Sequence, residues 1–147
     1  MTKRDEKIQN YMFKSLLKNP EMACYSDYGE KAVAVTWNAF ELYVLPKKDI
    51  CFNLDKCKKS PNLSEYLEMT SDDKKLTLTD ILTQSGKGYR RKLKAKDFDV
   101  WVNDKYLKDF GAAKYYARKP LDRVLVTDIV TDDVIGLVLP VRVKDEK

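Results

Sequence analysis

Histidine is absent from the sequence, and cysteine is scarce. Histidine is the commonest general base near neutral pH and the commonest transition-metal ligand, so its absence argues against an enzyme that depends on either role. The three cysteines, Cys24, Cys51 and Cys57, are odd in number and irregular in spacing, which predicts reduced thiols rather than a disulfide framework. No serine or cysteine has a recognisable base beside it. We therefore expect no enzymatic activity, no metal site and no cofactor.

Long hydrophobic runs are also missing. The longest apolar stretch, residues 134–143, falls well short of the roughly 20 apolar residues that a membrane-spanning helix needs. The first residues are charged and contain no apolar segment typical of a signal peptide. These features predict a cytoplasmic protein without a membrane partner.

The charge balance is mildly basic. The chain of 147 residues has 28 Lys and Arg against 23 Asp and Glu, a formal net charge of +5. Such an excess fits a nucleic-acid partner, and it fits an ordinary soluble protein equally well. A chain of this length is expected to form a single domain over residues 1–147.

The first half, about residues 1–55, has the pattern of one helix followed by three strands. A helical repeat of apolar residues predicts a helix over 4–18, capped by Thr2 and stopped at Asn19-Pro20. Alternating apolar residues then predict antiparallel strands at 22–26, 31–37 and 41–45. Residues 56–74 are irregular and are expected to form a crossover, with a short helix after Ser60. The predicted buried stripe of the first helix comprises Ile8, Tyr11, Met12 and Leu16, with Phe13 and Leu17 beside them.

The second half, about residues 75–143, repeats this order with more strands. Asn103 or Asp104 is predicted to cap its helix and Gly111 to end it. Because both halves place a helix before three strands, we predict an α+β fold made of two helix-plus-antiparallel-strand halves, a βαβββ-like repeat. The predicted elements are strands 75–83, 89–96 and 98–102, a helix over 104–110, and strands 114–118, 123–129 and 134–143.

Positive charge is concentrated in the predicted strand 89–96. Every even position in it is basic, so one whole face of the strand is expected to carry cations. Phosphate recognition needs such clustering, and a solvated edge strand protected by lysine is the alternative. The predicted DNA contacts in this region are Lys87, Arg90, Arg91, Lys92, Lys94 and Lys96.

Two further features are candidates for a partner site. Trp101 lies on the side of strand 98–102 opposite Val100 and Val102, where it is available to a base or a partner peptide; core packing is the alternative. Pro140 interrupts the last strand, and because proline cannot donate a backbone hydrogen bond, that strand should lie at an edge or leave its sheet there.

Three motifs near the end of the sequence resemble a known family. They are Val-Trp-Val-Asn-Asp-Lys-Tyr-Leu-Lys-Asp-Phe (100–110), Lys-Pro-Leu-Asp-Arg-Val-Leu-Val (119–126) and Ile-Gly-Leu-Val-Leu-Pro-Val-Arg-Val (135–143). In content, order and position they resemble the C-terminal domain of the bacterial DNA sliding clamp, the processivity clamp of replication. The resemblance covers about residues 98–143 at the level of motifs.

The resemblance implies a non-enzymatic protein that binds duplex DNA and replication proteins. It implies two βαβββ motifs in a domain, helices facing DNA, and a groove for partner peptides. Lys105 and Lys108 would then contact phosphates, and Leu139, Pro140, Val141 and Arg142 would border the groove. A clamp subunit has several such domains and this chain has the length of one, so a ring would require a homo-oligomer.

An alternative function of another class is also open. The chain fits a small interaction protein of a phage or another mobile element that inhibits or regulates a host protein through an exposed strand edge or an aromatic patch.

Overall fold

The computed structural model describes residues 2–143, apart from the side chain of Ser85. The ends of the predicted domain, residues 1 and 144–147, lie outside the described residues. The described chain contains two α-helices and ten β-strands, which confirms the α+β class; the βαβββ repeat stays a prediction. Within the described range, neither helix has the length and apolar character required to cross a bilayer.

The chain forms two compact units. The first ends at Glu68 and also includes Val134–Leu137, whereas the second comprises Met69–Asp133 and resumes at Val138. The first unit therefore uses a strand from near the end of the chain, which cannot be foreseen from the order of local patterns.

The first unit packs helix α1 with a sheet in which the pairs β1–β2 and β2–β3 are antiparallel. The sheet order is β4-β1-β2-β3-β10, and β4 pairs with β1 in parallel. The elements are α1 (Lys3–Lys18), β1 (Cys24–Asp27), β2 (Ala32–Thr36), β3 (Glu41–Pro46), β4 (Lys58–Lys59) and β10 (Val134–Val138). Short 3₁₀ helices at Pro20–Met22, Lys47–Asp49, Leu54–Lys56 and Ser64–Leu67 connect them.

Helix α1 begins and ends where the sequence predicts. The Thr2 hydroxyl accepts a hydrogen bond from the Asp5 N–H at 3.0 Å, and Asn19 follows the last helical residue. The predicted stripe is too broad, however. Ile8 and Met12 are fully buried, whereas Phe13 and Leu17 are 54% and 73% exposed. Asp5 is buried as well, and a second polar residue completes the buried face.

That polar residue is Gln9, which ties α1 to the loop after β3. Its side-chain amide donates to the Asp49 carbonyl and accepts from the Cys51 N–H. A buried amide is tolerated only when its polar atoms are paired, and these two bonds supply the pairing. The loop, rather than apolar contact alone, therefore positions one side of the helix.

The second unit has the sheet order β9-β8-β5-β6-β7, antiparallel throughout. Its long strand β5 pairs with β8 through its first residues and with β6 through the rest, and the register shifts between Leu78 and Leu82. The elements are β5 (Lys74–Ser85), β6 (Gly88–Lys94), β7 (Asp99–Asn103), α2 (Asp104–Phe110), β8 (Ala113–Ala117) and β9 (Val124–Asp128).

A buried ion pair holds the start of β5 in this unit. The Arg123 guanidinium binds Asp73 through two bonds, Nη1 to Oδ1 at 2.6 Å and Nη2 to Oδ2 at 3.2 Å. The Thr70 N–H donates to the same carboxylate at 2.9 Å. Burial by itself would raise the pKa of Asp73, but the bonds from Arg123 and Thr70 outweigh burial and lower it. The carboxylate therefore stays charged inside the unit.

The prediction of a strand over residues 134–143 is wrong in its second part. β10 ends at Val138, two residues before Pro140, so the chain does leave its sheet near the proline. Burial does not alternate along β10, because Gly136, Leu137 and Val138 are buried in succession. Consecutive burial indicates that both faces of β10 are covered at this point.

Candidate nucleic-acid interface

Strands β5, β6 and β7 form a meander whose middle strand carries most of the predicted DNA contacts. The β5–β6 connection is the tight turn at Gly86-Lys87, where Gly86 has a φ of 61°. Because β6 pairs on both sides, the alternative of a lysine-protected edge strand does not apply to it. The cations of β6 therefore lie in the interior of a sheet face.

The side chains of Arg90, Lys92 and Lys94 share one face of this meander. They alternate with Arg91 and Leu93, which point to the other face. Across the β6–β7 ladder, Lys92 lies opposite Trp101, and directly opposed residues share a face. We call the surface formed by Arg90, Lys92, Lys94 and Trp101 the basic face.

Lys92 is the best positioned cation of the basic face. Its ammonium lies 3.2 Å from the Asp99 carboxylate and 6.0 Å from the centroid of the Trp101 ring. The side chains of Lys92 and Asp99 are 22% and 41% exposed, so water reaches the pair. An accessible ion pair of this kind contributes at most about 1 kcal/mol, so an anionic ligand can replace the Asp99 carboxylate as the partner of Lys92.

The other two cations of the basic face, Arg90 and Lys94, have fewer contacts with protein groups than Lys92. The Arg90 Nε is buried and has no hydrogen-bond partner within the described part of the chain. Lys94 is exposed and lies opposite Asp99 in the ladder. Asp99 was not foreseen as part of the site, although the alternation of 98–102 places it on the same side as Trp101.

Arg91 does not belong to the basic face, and its role as a DNA contact stays a prediction. Its Nε binds the Asp104 carboxylate at 2.6 Å and its Nη1 donates to the Thr79 carbonyl at 2.8 Å. The hydrogen bond from Arg91 lowers the pKa of Asp104, and the pKa of Arg91 is raised in return. Arg91 thus joins the first turn of α2 to β6 and has a structural role.

Helix α2 covers the face opposite the basic face, because its first residue, Asp104, binds Arg91 there. Asn103 caps the helix as predicted, accepting from the Lys105 N–H at 3.1 Å. Lys105 is exposed, and Lys108 is 74% exposed at its side chain and lies 3.6 Å from Asp104. These two lysines therefore belong to a different surface from Arg90, Lys92 and Lys94. Lys87 in the hairpin turn and Lys96 in the loop after β6 are exposed.

The predicted partner residues are brought together at the edge of β7. The Val141 N–H donates to the Trp101 carbonyl at 2.8 Å, so the segment after β10 runs beside the outer edge of β7. Leu139 is 40% exposed and Arg142 is exposed, whereas Pro140 and Val141 are partly buried. The two predictions had separate grounds, strand alternation for Trp101 and the clamp resemblance for residues 139–142, and the structure brings these residues together.

Within residues 2–143, no three His, Cys, Asp or Glu side chains are grouped in a way that would hold a metal ion. The three cysteines are free thiols. Burial, with a smaller contribution from nearby Cys24, raises the pKa of Cys57 to about 11. A thiol with such a pKa is almost entirely protonated at neutral pH and is a poor nucleophile.

Comparison with known proteins finds no matching family model, curated protein or solved structure. The resemblance to the sliding clamp therefore stays a prediction.

Proposed function

We propose that this protein binds DNA through the basic face and has no catalytic activity. The observation that carries the proposal is the alignment of Arg90, Lys92 and Lys94 on one sheet face beside Trp101. Cations grouped in this way neutralise phosphates and release counterions, a gain that does not depend on base sequence. The net charge of +5 adds a weak, non-specific attraction to the negatively charged DNA.

Salt dependence of binding tests this proposal. We expect DNA affinity to fall steeply with ionic strength, and the double variant Arg90→Ala/Lys94→Ala to bind more weakly with a shallower slope. Loss of two phosphate contacts should reduce the slope of log K against log salt by about 1.4–1.8. Fluorescence anisotropy with labelled DNA over a salt series measures both quantities.

The matched control is Lys31→Ala/Lys48→Ala, which removes the same charge from two exposed lysines of the first unit. It should leave the slope unchanged. Equal losses in the two double variants would mean that net charge, and not the basic face, drives binding. Absence of binding to any DNA at low salt would refute the proposed function.

The clamp-like part of the proposal is supported by the motif order in residues 100–143. In that form, the protein would assemble into a ring around duplex DNA and bind replication proteins. A sedimentation experiment should then give a solution mass that is a multiple of the monomer mass, whereas a monomer at all concentrations would exclude a ring.

A second candidate function is peptide binding at the edge of β7, favoured by the hydrogen bond between Val141 and Trp101. The half-exposed Leu139 beside this edge offers an apolar contact to a partner. Calorimetric titration with a clamp-binding peptide should give binding that Leu139→Asp abolishes. Leu121→Asp, which changes another exposed leucine, is the control and should bind as the unmodified protein does.

A further inference from the structure

We propose that the basic face takes single-stranded nucleic acid, with a base stacked on Trp101 and the backbone held by the flanking cations. The inference rests on the DNA-binding function proposed above and names its substrate class. Three observations support it. The indole of Trp101 lies among cations, only single strands can offer a free base face to that indole, and the ion pair of Lys92 with Asp99 is weak.

The indole lies between cations. Trp101 is opposite Lys92, and Arg90 and Lys94 lie one step away on either side of Lys92 along the same strand face. Such steps are about 6.6–7 Å long, so the three cations extend along the strand with the aromatic ring beside their centre. A strand of nucleic acid that follows β6 can therefore place phosphates near the cations and a base near the ring.

Stacking on Trp101 requires a base whose flat face is free. In a duplex each base face is covered by the neighbouring pair, whereas the bases of a single strand can unstack and present their faces to a side chain. An aromatic ring among cations on a sheet is the arrangement that proteins use for single strands, because every base has a π-face and every nucleotide a phosphate. Duplex DNA could use the cations but would leave the indole unused.

Lys92 can exchange its present partner for a phosphate. Its ammonium is 3.2 Å from Asp99, and at 6.0 Å from the ring centroid it lies at the outer limit of a cation–π contact. A base that stacks on the ring would displace this weak contact. The released ammonium would then be available to the backbone of the ligand.

Tryptophan fluorescence tests the stacking directly. The chain has two tryptophans, and Trp37, whose ring centroid lies 5.1 Å from that of Tyr11, can be replaced by phenylalanine so that Trp101 is the only indole. We expect an oligothymidylate to quench the emission of Trp101 in the Trp37→Phe protein. A duplex of the same length should bind more weakly and leave the emission unchanged.

Substitution of Trp101 provides an independent readout. Trp101→Leu should weaken oligothymidylate binding by roughly 5- to 150-fold while leaving the salt slope and the duplex affinity as they were. Trp101→Phe, which keeps an aromatic ring, should lose less. The control is Tyr89→Leu, which removes a half-exposed aromatic residue from the opposite face of the same strand and should have no effect.

Each outcome separates this inference from the proposed function. Quenching together with a selective loss in Trp101→Leu supports the inference. Equal or tighter duplex binding with unchanged Trp101 emission overturns it and leaves the proposed DNA binding intact. Failure of the unmodified protein to bind either ligand at low salt overturns both. The quenching measurement decides the matter even where Trp101→Leu does not fold.

Discussion

At the scale of single residues, the ion pair between Asp73 and Arg123 differs from the other charged contacts. Its side chains are 0% and 6% exposed, whereas those of Lys92 and Asp99 are open to water. Removing one partner of the buried pair should therefore cost more stability than removing one partner of the exposed pair, because it leaves an uncompensated charge in the interior. Asp73 is thus important for stability, whereas the exposed Lys92–Asp99 pair contributes little to it.

Replacement of Asp73 by alanine is expected to destabilise the protein by about 3–5 kcal/mol, because Arg123 remains buried and loses its carboxylate. Urea denaturation at neutral pH measures the free energy of unfolding. Asp72→Ala is the control, since Asp72 is adjacent in sequence but exposed, and its effect should stay within about 0.5 kcal/mol. Similar effects of the two substitutions would contradict this role for the pair.

The difference in stability between the Asp73→Ala variant and the unmodified protein should also depend on pH. The pKa of Asp73 is lowered in the folded state, so its contribution is complete above the unfolded value of about 3.9 and is lost as pH falls through the folded value. The free-energy difference between the two proteins should therefore shrink as pH falls below about 4. Urea titrations from neutral to acidic pH test this, and a constant difference would contradict it.

At the scale of elements, the end of α2 depends on a glycine conformation. Gly111 has a φ of 66° and a ψ of −140°, a region that residues with a side chain rarely adopt. Nothing lies within 4 Å of the place where a Cβ would be added, so the constraint there is backbone strain and not crowding.

Gly111→Ala should therefore reduce the free energy of unfolding by about 1–3 kcal/mol. Gly88 provides a matched control, because its surroundings are equally open and its φ lies outside the left-handed region. Gly88→Ala should change stability by less than about 1 kcal/mol. Thermal unfolding followed by circular dichroism compares the two variants, and an equal loss in both would show that conformation is not the cause.

The elements that the sequence predicts well are those with local signals. Thr2 and Pro20 mark the ends of α1, Gly86 marks the β5–β6 turn, and Asn103 and Gly111 mark the ends of α2. Each signal acts through a hydrogen bond or a backbone angle within a few residues. Local chemistry is sufficient there, and the structure agrees with it.

The elements that the sequence predicts poorly depend on pairing with strands that are distant in the sequence. β4 is a strand only because β1 lies beside it, and β10 ends at Val138, before its apolar pattern ends. Val33, Ala34 and Val35 are all fully buried because both faces of β2 are covered, which alternation in one strand cannot reveal. The register shift in β5 likewise depends on its partner β6.

The candidate site was predictable in part. The alternation of β6 predicted its basic side chains, and that of β7 placed Trp101 away from the core. The position of Lys92 opposite Trp101 depends on the length of the loop between β6 and β7. The ion pair of Arg91 with Asp104 depends on the position of α2. Neither can be read from one strand alone.

At the scale of the whole molecule, the first unit should not fold without the late strand β10. β3 has β10 as its outer neighbour, and Gly136 and Leu137 of β10 are buried in the native protein. A fragment that ends at Glu68 would leave the apolar side chains of β3 and a row of backbone groups without partners.

We expect this fragment to show no cooperative unfolding transition in circular dichroism. Joining Val134–Val138 to it through a flexible linker should restore a transition, because the missing strand becomes available at high effective concentration. The same chimera with Leu137→Asp is the control and should remain unfolded. A cooperative transition in the fragment alone would contradict the dependence on β10.

The late position of β10 also has a consequence for biosynthesis. Its residues leave the ribosome ~90 residues after β3, a delay of about 5–20 s at ordinary rates of elongation. Throughout that interval the nascent chain carries β3 as an uncovered edge, which is the kind of surface that pairs with other chains. Newly made copies should therefore require a chaperone, or low concentration, until the last strand emerges and takes its place.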